Sequence, residues 1–228
     1  MHDAEQFEQQ PFGVVNDYTN LFHSSQNEAC LKQLLVRASE EHVSVVTPNV
    51  AHLLETLVTL RQPKSILELG TAFGISTYHM RKALQLPATL VTIDLIADRQ
   101  AVAKELLQTH RLTDGVVFLC KDFRQEGLID DLADRYGPFD LVFLDAAKGQ
   151  YAHLLEVLTP HIADHGVIVF DNIFLNGWIV EDAYPNHRQK TAFTRMKAFL
   201  ESIKHNNHFS NTLLPLDDGV LVLAKREM

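Results

Sequence analysis

Ser65-Ile66-Leu67-Glu68-Leu69-Gly70-Thr71-Ala72-Phe73-Gly74-Ile75-Ser76-Thr77 is the segment on which the fold turns. A short apolar run ends in a glycine, and a second glycine follows just before a new apolar stretch. Glycine permits a tight turn and close backbone approach at the carboxyl end of a strand. The start of the following helix then offers unpaired N–H groups to an anion. The glycines are spaced G-x-x-x-G, not G-x-G-x-x-G, and Glu68 precedes the first of them. A carboxylate there repels a pyrophosphate and suits a ligand with ammonium and sulfonium charges. The helix start, with Ser76, can take that ligand's carboxylate. A second apolar run closes on Asp94, 24 residues after Gly70, where an acid accepts from both ribose hydroxyls. The plainer reading is that both glycines only make a turn and Asp94 caps the next helix. Asp122 follows the third run, as an adenine-edge contact or as a helix cap before Phe123.

Outward from this loop, short apolar runs alternate with longer amphipathic stretches. The runs are Ser65–Leu69, Thr89–Asp94, Val116–Cys120, Leu141–Leu144 and Gly166–Phe170. They show little polar alternation, as strands buried on both faces do, which predicts a parallel sheet covered by helices. Thr212–Leu216 and Val220–Ala224 flank Asp217-Asp218-Gly219 and predict a hairpin that reverses the last strand. The first ~60 residues read as helical. Apolar residues recur at helical spacing over 27–40 and 48–60, and Thr47-Pro48 suits a helix start. Asp17 to Asn20 is expected to cap or connect an earlier short helix. No linker or repeat divides the chain, so residues 1–228 are expected to form one α/β domain, with 1–60 as an N-terminal helical extension.

Composition narrows the function. The chain has 228 residues, 46% hydrophobic, and a formal charge of −9. An acidic surface argues against unspecific nucleic-acid binding, though not against a local basic patch. No run of 18 apolar residues predicts a membrane span, and the polar N-terminus lacks the pattern of a secretion signal. Cys30 and Cys120 sit among apolar neighbours and do not suggest a disulfide framework. A cytoplasmic location is expected. The 12 histidines show no paired spacing such as HExxH and read as surface or packing residues.

A second constellation lies further along. The fourth run leads into Asp145-Ala146-Ala147-Lys148, and the fifth into Asp171-Asn172. Both acids fall at the carboxyl ends of buried strands, where open α/β sheets place their sites. Two carboxylates and an amide oxygen make a hard oxygen site suited to Mg2+, with Mn2+ or Ca2+ as alternatives. Without a cation such carboxylates repel each other, and a raised pKa is expected. A divalent cation nearby favours the neutral form of Lys148, the form a general base needs. Each acid taken alone could equally be a helix cap or a salt-bridge partner.

These residues resemble the cation-dependent O-methyltransferases that include the catechol and caffeoyl-CoA enzymes. The resemblance runs over residues ~40–226. It implies a Rossmann-like class I methyltransferase fold: a seven-stranded, mostly parallel sheet with an antiparallel C-terminal hairpin strand and extra N-terminal helices. It implies S-adenosyl-L-methionine as methyl donor, with Val46, Glu68, Gly70, Ala72, Ser76, Asp94, Asp122 and Asp145 around it. Asp145, Asp171 and Asn172 would hold the metal, and Lys148 would be the catalytic base. Within the family, residues 139–151, 166–168 and 171–172 are most similar to bacterial tRNA 5-hydroxyuridine methyltransferases. That implies 5-methoxyuridine formation at the wobble base, a tRNA anticodon stem-loop as partner and a homodimer. A small-molecule vicinal diol is the alternative substrate. Both substrates offer two adjacent oxygens to one metal. Lys121 stands where the family carries a glycine after the third strand. His187, Arg188, Lys190, Arg195 and Lys197 read either as an RNA-facing patch or as a solvated helix face. Trp178 either stacks on a planar substrate or packs against the protein.

Overall fold

The computed structural model describes residues 12–227 apart from 27, 86, 146, 147 and 185. Three helices come first: α1 (Phe12–Gln26), α2 (Ala29–Glu40) and α3 (Pro48–Arg61). Strands and helices then alternate through β1 (Ser65–Leu69), α4 (Ile75–Ala83), β2 (Thr89–Asp94), α5 (Ala97–Thr109), β3 (Val116–Cys120), α6 (Leu128–Tyr136), β4 (Phe139–Leu144), α7 (Tyr151–Leu158) and β5 (Ile162–Phe170). The chain ends in α8 (Trp178–Glu181), α9 (His187–Lys204), β6 (Phe209–Leu214) and β7 (Val220–Lys225).

The seven strands form one sheet in the order β3-β2-β1-β4-β5-β7-β6. Neighbours from β3 to β5 are parallel, and β7 runs antiparallel to both β5 and β6. The expected hairpin therefore inserts its second strand against β5 and leaves β6 at the edge. β6 starts three residues earlier than the expected run and stops before Pro215, which has no N–H for a ladder. β4 and β5 also begin earlier than their apolar runs, because Asp140 and His165 are strand residues despite their polarity.

Strand side chains alternate between two cores. Leu67, Leu69, Val91, Val142, Leu144, Ile168 and Phe170 pack against α6, α7 and α9. Ile66, Leu90, Leu141, Phe143 and Val169 pack against α3 and α4. Burying each such side chain contributes roughly 1.5–3 kcal/mol. α3 shows how sequence sets a boundary. The Thr47 hydroxyl accepts from Val50 N at 3.3 Å, Pro48 fills the first turn, and the helix stops at Gln62 in a left-handed conformation. Its buried face is Val50, Ala51, Leu54 and Val58.

Two expectations are corrected. Asp17 to Asn20 neither cap nor connect; they lie inside α1. Cys120 is exposed at the end of the outermost strand β3, and only Cys30 is partly covered by apolar neighbours. Neither forms a disulfide. Among the described residues no helix is long and apolar enough to cross a membrane.

Candidate active site

The sheet order places the β1, β2, β4 and β5 carboxyl ends side by side, and both sequence constellations meet there. The loop after β1 is already tied down. Gly70 N donates to Ile93 O at 2.9 Å, and Ala72 N to Asp94 Oδ2 at 2.8 Å. The other Asp94 oxygen accepts from Ile96 N at 2.9 Å. Gly74 has φ +78°, and a Cβ there would stand 2.5 Å from the Ala103 Cβ, so the turn and the α4–α5 contact both need glycine.

Glu68 sits beneath this loop, fully buried. Its carboxylate accepts from Ser76 Oγ at 2.5 Å, Thr77 Oγ1 at 2.5 Å and Thr92 Oγ1 at 2.6 Å. Burial pushes its pKa up to about 7; the three hydroxyls pull the other way and nearby Asp145 adds to the rise. The glutamate thus fastens the start of α4 to β1 and β2. Ser76 is buried and spends its hydroxyl on Glu68.

A cavity of about 340 Å³ opens beside the loop, lined by Gly70, Ala72, Asp94 and Asp145 together with Ser44, Ile96, Arg99, Phe123 and Arg124. Four sequence-assigned residues therefore line one space. Glu68 and Ser76 stand behind it, and Val46 packs into the α3–α4 core. Asp122 is not in the lining. Its carboxylate turns to Arg124, accepting from Nε at 2.8 Å and from the terminal nitrogen at 2.7 Å. Those bonds hold its pKa below the usual range. Phe123 and Arg124 occupy the place expected for it. Sequence reading missed Ser44, Arg99 and Arg124, since nothing in their spacing sets them apart from solvated residues.

The acid cluster is different in kind. Asp145 N donates to Leu69 O at 3.1 Å and Asp171 N to Leu144 O at 3.0 Å, which sets both acids at adjacent strand ends. Burial raises the pKa of Asp145 to about 6, with Lys148 opposing. It raises that of Asp171 to about 8, and repulsion from Asp145 adds to the shift. Asn172 has φ 53°, and its side-chain oxygen accepts from Lys148 Nζ at 2.5 Å. Tyr151, fully buried, donates its hydroxyl to Asp171 O at 2.8 Å and fixes this turn from below. The hydroxyl of Tyr151 is a supporting contact that the sequence did not disclose. A second cavity, about 610 Å³, adjoins Lys148 and is lined by Arg124, His153, Arg195, Phe199 and Ser202.

Of the five residues singled out on α9, His187 is exposed in its first turn and the other four divide. Arg195 lines the second cavity, and Arg188 shares its helical stripe two turns away. Lys197 is paired with Asp182 at 2.5 Å, and Lys190 lies on that other stripe. Trp178 packs against the β-sheet core and is only partly exposed.

The comparisons bear on the family and the fold. A family model described as O-methyltransferase matches residues 22–227. A catechol O-methyltransferase of Niastella koreensis is 31% identical over 179 residues, covering 76% of this chain and 78% of its own. A SAH-bound methyltransferase of Podospora anserina superposes with a TM-score of 0.77 at 20% identity, over 96% of this chain and 99% of the other. An O-methyltransferase of Bacillus cereus in complex with SAH gives 0.76 at 21% identity, over 91% and 97%. With its sheet order, its strand-end acids and a family match over nearly its whole length, the chain belongs to the O-methyltransferase family.

Proposed function

We propose that this protein transfers a methyl group from S-adenosyl-L-methionine to one of two neighbouring oxygens of its acceptor, with a divalent cation held by Asp145, Asp171 and Asn172. The observation that carries the reading is that Asp145 and Asp171 stand at adjacent strand ends with interacting carboxyls, while Lys148 Nζ reaches Asn172 Oδ1. The donor set fits a hard cation. Three oxygens come from adjacent strand ends, and both carboxyls are pushed up by burial in a way that a positive ion would relieve. Bound there, the ion would polarise and orient an acceptor hydroxyl.

The chain's own residues supply the rest. Gly70, Ala72 and Asp94 line the cavity that would take the methyl donor, and Asp94 would accept from its ribose hydroxyls with the lone pairs its backbone contacts leave. Lys148 Nζ takes the acceptor hydroxyl proton. Tyr151 and the Asn172 backbone N–H hold the Asp171 turn rigid, so positioning contributes much of the rate gain. The SAH-bound neighbours support the donor assignment.

We further propose 5-hydroxyuridine in the tRNA anticodon stem-loop as acceptor. Support comes from the larger cavity, whose lining includes Arg195, His153, Lys148 and the Asp122-bound Arg124, a basic lining that suits a phosphate-bearing substrate. The catechol reading is favoured by the Niastella relative. The deciding experiment offers purified protein labelled donor with hydroxyuridine-containing tRNA or a catechol panel, with and without chelator. Label in RNA that disappears with Arg195→Glu supports the tRNA reading. Label confined to catechols replaces it, and turnover indifferent to chelation removes the cation. The homodimer belongs to this proposal, supported by Val14, Tyr18 and Leu21 of α1, which face solvent along one stripe; light scattering at the mass of one chain would exclude it.

A further inference from the structure

Away from both cavities, α1, α3 and α4 meet around a cluster of imidazoles. His79 of α4 is 1% exposed, with Nδ1 2.7 Å from Glu55 Oε2. His52, one turn before Glu55 on α3, has its ring 4.9 Å from that of His79. His23 of α1 stacks on His52 at 4.8 Å and is tied to Asn49 Oδ1 at 2.9 Å. Lys82 Nζ stands 3.9 Å from Glu55 Oε1. The Nε2 atoms of His52 and His79 are buried and have no hydrogen-bond partner among the described residues. A buried polar atom without a partner is rare and calls for an ion or water to complete it.

The chemistry of the orphans is specific. His79 Nδ1 and Glu55 Oε2 already face each other at 2.7 Å, and the buried His52 Nε2 brings an unpartnered ring nitrogen to the same cluster. One ligand atom from each of His52, Glu55 and His79 lies within 4.8 Å of the others. A tetrahedral zinc needs such atoms roughly 3.4 Å apart, given ligand distances near 2.0–2.2 Å. Glu55, a quarter exposed, can close that difference.

We propose that His52, Glu55 and His79 form a second metal site, for ions of the Zn2+ class, that ties α3 to α4. Two imidazoles and one carboxylate select a borderline-soft ion, whereas the oxygen set at β4 and β5 selects a hard one. The ion would take the place of the proton shared by His79 Nδ1 and Glu55 Oε2, with the unpartnered His52 Nε2 as third ligand. The fourth position is left to water. α4 begins at the glycine loop, so the ion would stiffen the helix that carries Ser76 and Thr77.

The test uses the full chain, stripped of metal, with excess Mg2+ present and Cys30→Ser as background, so that neither the acid pair nor the thiol competes. Zn2+ is titrated by calorimetry, and Co2+ is followed by visible absorption. One equivalent of Zn2+ is expected, with a tetrahedral Co2+ spectrum and a rise in Tm. His52→Gln and Glu55→Gln should each weaken binding about 10–100-fold and abolish the Tm rise. His79→Gln should do the same, but it is the most buried and the most exposed to misfolding, so the other two carry the decision. Absence of stoichiometric Zn2+ binding, or binding unchanged by His52→Gln and Glu55→Gln, overturns the site. Methyl transfer plays no part in either readout, so the outcome is independent of the proposed function.

Discussion

The loop after β1 and the acid pair after β4 and β5 lie side by side, yet they stand in opposite states. In the loop, Glu68 has three hydroxyl donors and Asp94 has backbone donors on both oxygens. Across from it, burial raises the proton affinity of both Asp145 and Asp171, the Asp145 charge adds to that of Asp171, and Lys148 opposes both. The first region is finished by the protein itself and is preorganised. The second holds two carboxyls whose ionised forms burial disfavours, which is where a cation gains most. On the proposed function, donor binding would rest mainly on the first regime and acceptor activation on the second, with Asp145 bordering both.

The sharpest way to break this division is Lys148→Ala. A general base contributes about 10²–10⁴-fold, so kcat should fall by that range. Donor affinity by calorimetry should stay within error, because Lys148 lines the other cavity. A parallel loss of donor affinity would merge the two regions.

Glu68→Gln probes the finished region. The glutamate's pKa is raised from 4.5 to about 7, so between those values the folded chain binds more protons than the unfolded chain. Stability is therefore lost as pH rises from about 4.5 to 7. Removing the titration should flatten that slope and spare about 3 kcal/mol at neutral pH, on ~1.36 kcal/mol per unit. Urea denaturation of the metal-free protein across this range would show it; an unchanged slope would place the proton elsewhere.

Mg2+ addition probes the unfinished region. At 100-fold excess over Kd, an ion stabilises by about 2.7 kcal/mol. Protons compete at Asp145 and Asp171, whose pKa values are about 6 and about 8, so the Tm rise should grow from pH 6 to pH 8.5. A rise indifferent to pH would count against those carboxylates as ligands.

The smallest effect is expected from Asp94→Asn. One oxygen still accepts from a backbone N–H, but the other carries an amide in its place. A loss of about 1 kcal/mol in stability, with donor affinity down about tenfold, would fit. Unaltered affinity would move the ribose contact to another residue.

Much of this was readable beforehand because the deciding signals are local. A strand buried on both faces is a continuous apolar run, and its end is marked by the residue that breaks it: Gly70, Asp94, Asp145, Asp171. These four positions needed no tertiary information. Asp122 did, because whether it reaches a ligand depends on Arg124, two residues on, capturing its carboxylate. Glu68 was placed correctly along the chain, but its depth was not legible. Three hydroxyls from two elements surround it, and only the assembled sheet brings Thr92 beside Ser76 and Thr77. The scattered histidines were read as surface or packing residues, since His23, His52 and His79 are far apart in sequence and share no spacing.

The turn before β7 has a consequence for assembly. Gly219 O and Asp218 O accept from Ile173 N at 3.1 Å and Phe174 N at 2.8 Å, just beyond the acid pair. Next to them, Asp217 accepts from Thr47 Oγ1 at 2.5 Å, from Asn49 Nδ2 at 3.3 Å and from the Asn20 amide. One three-residue turn thereby clasps the earliest helices and the Asn172 loop at once. During synthesis those helices emerge first and must wait for nearly the last strand before their partner exists.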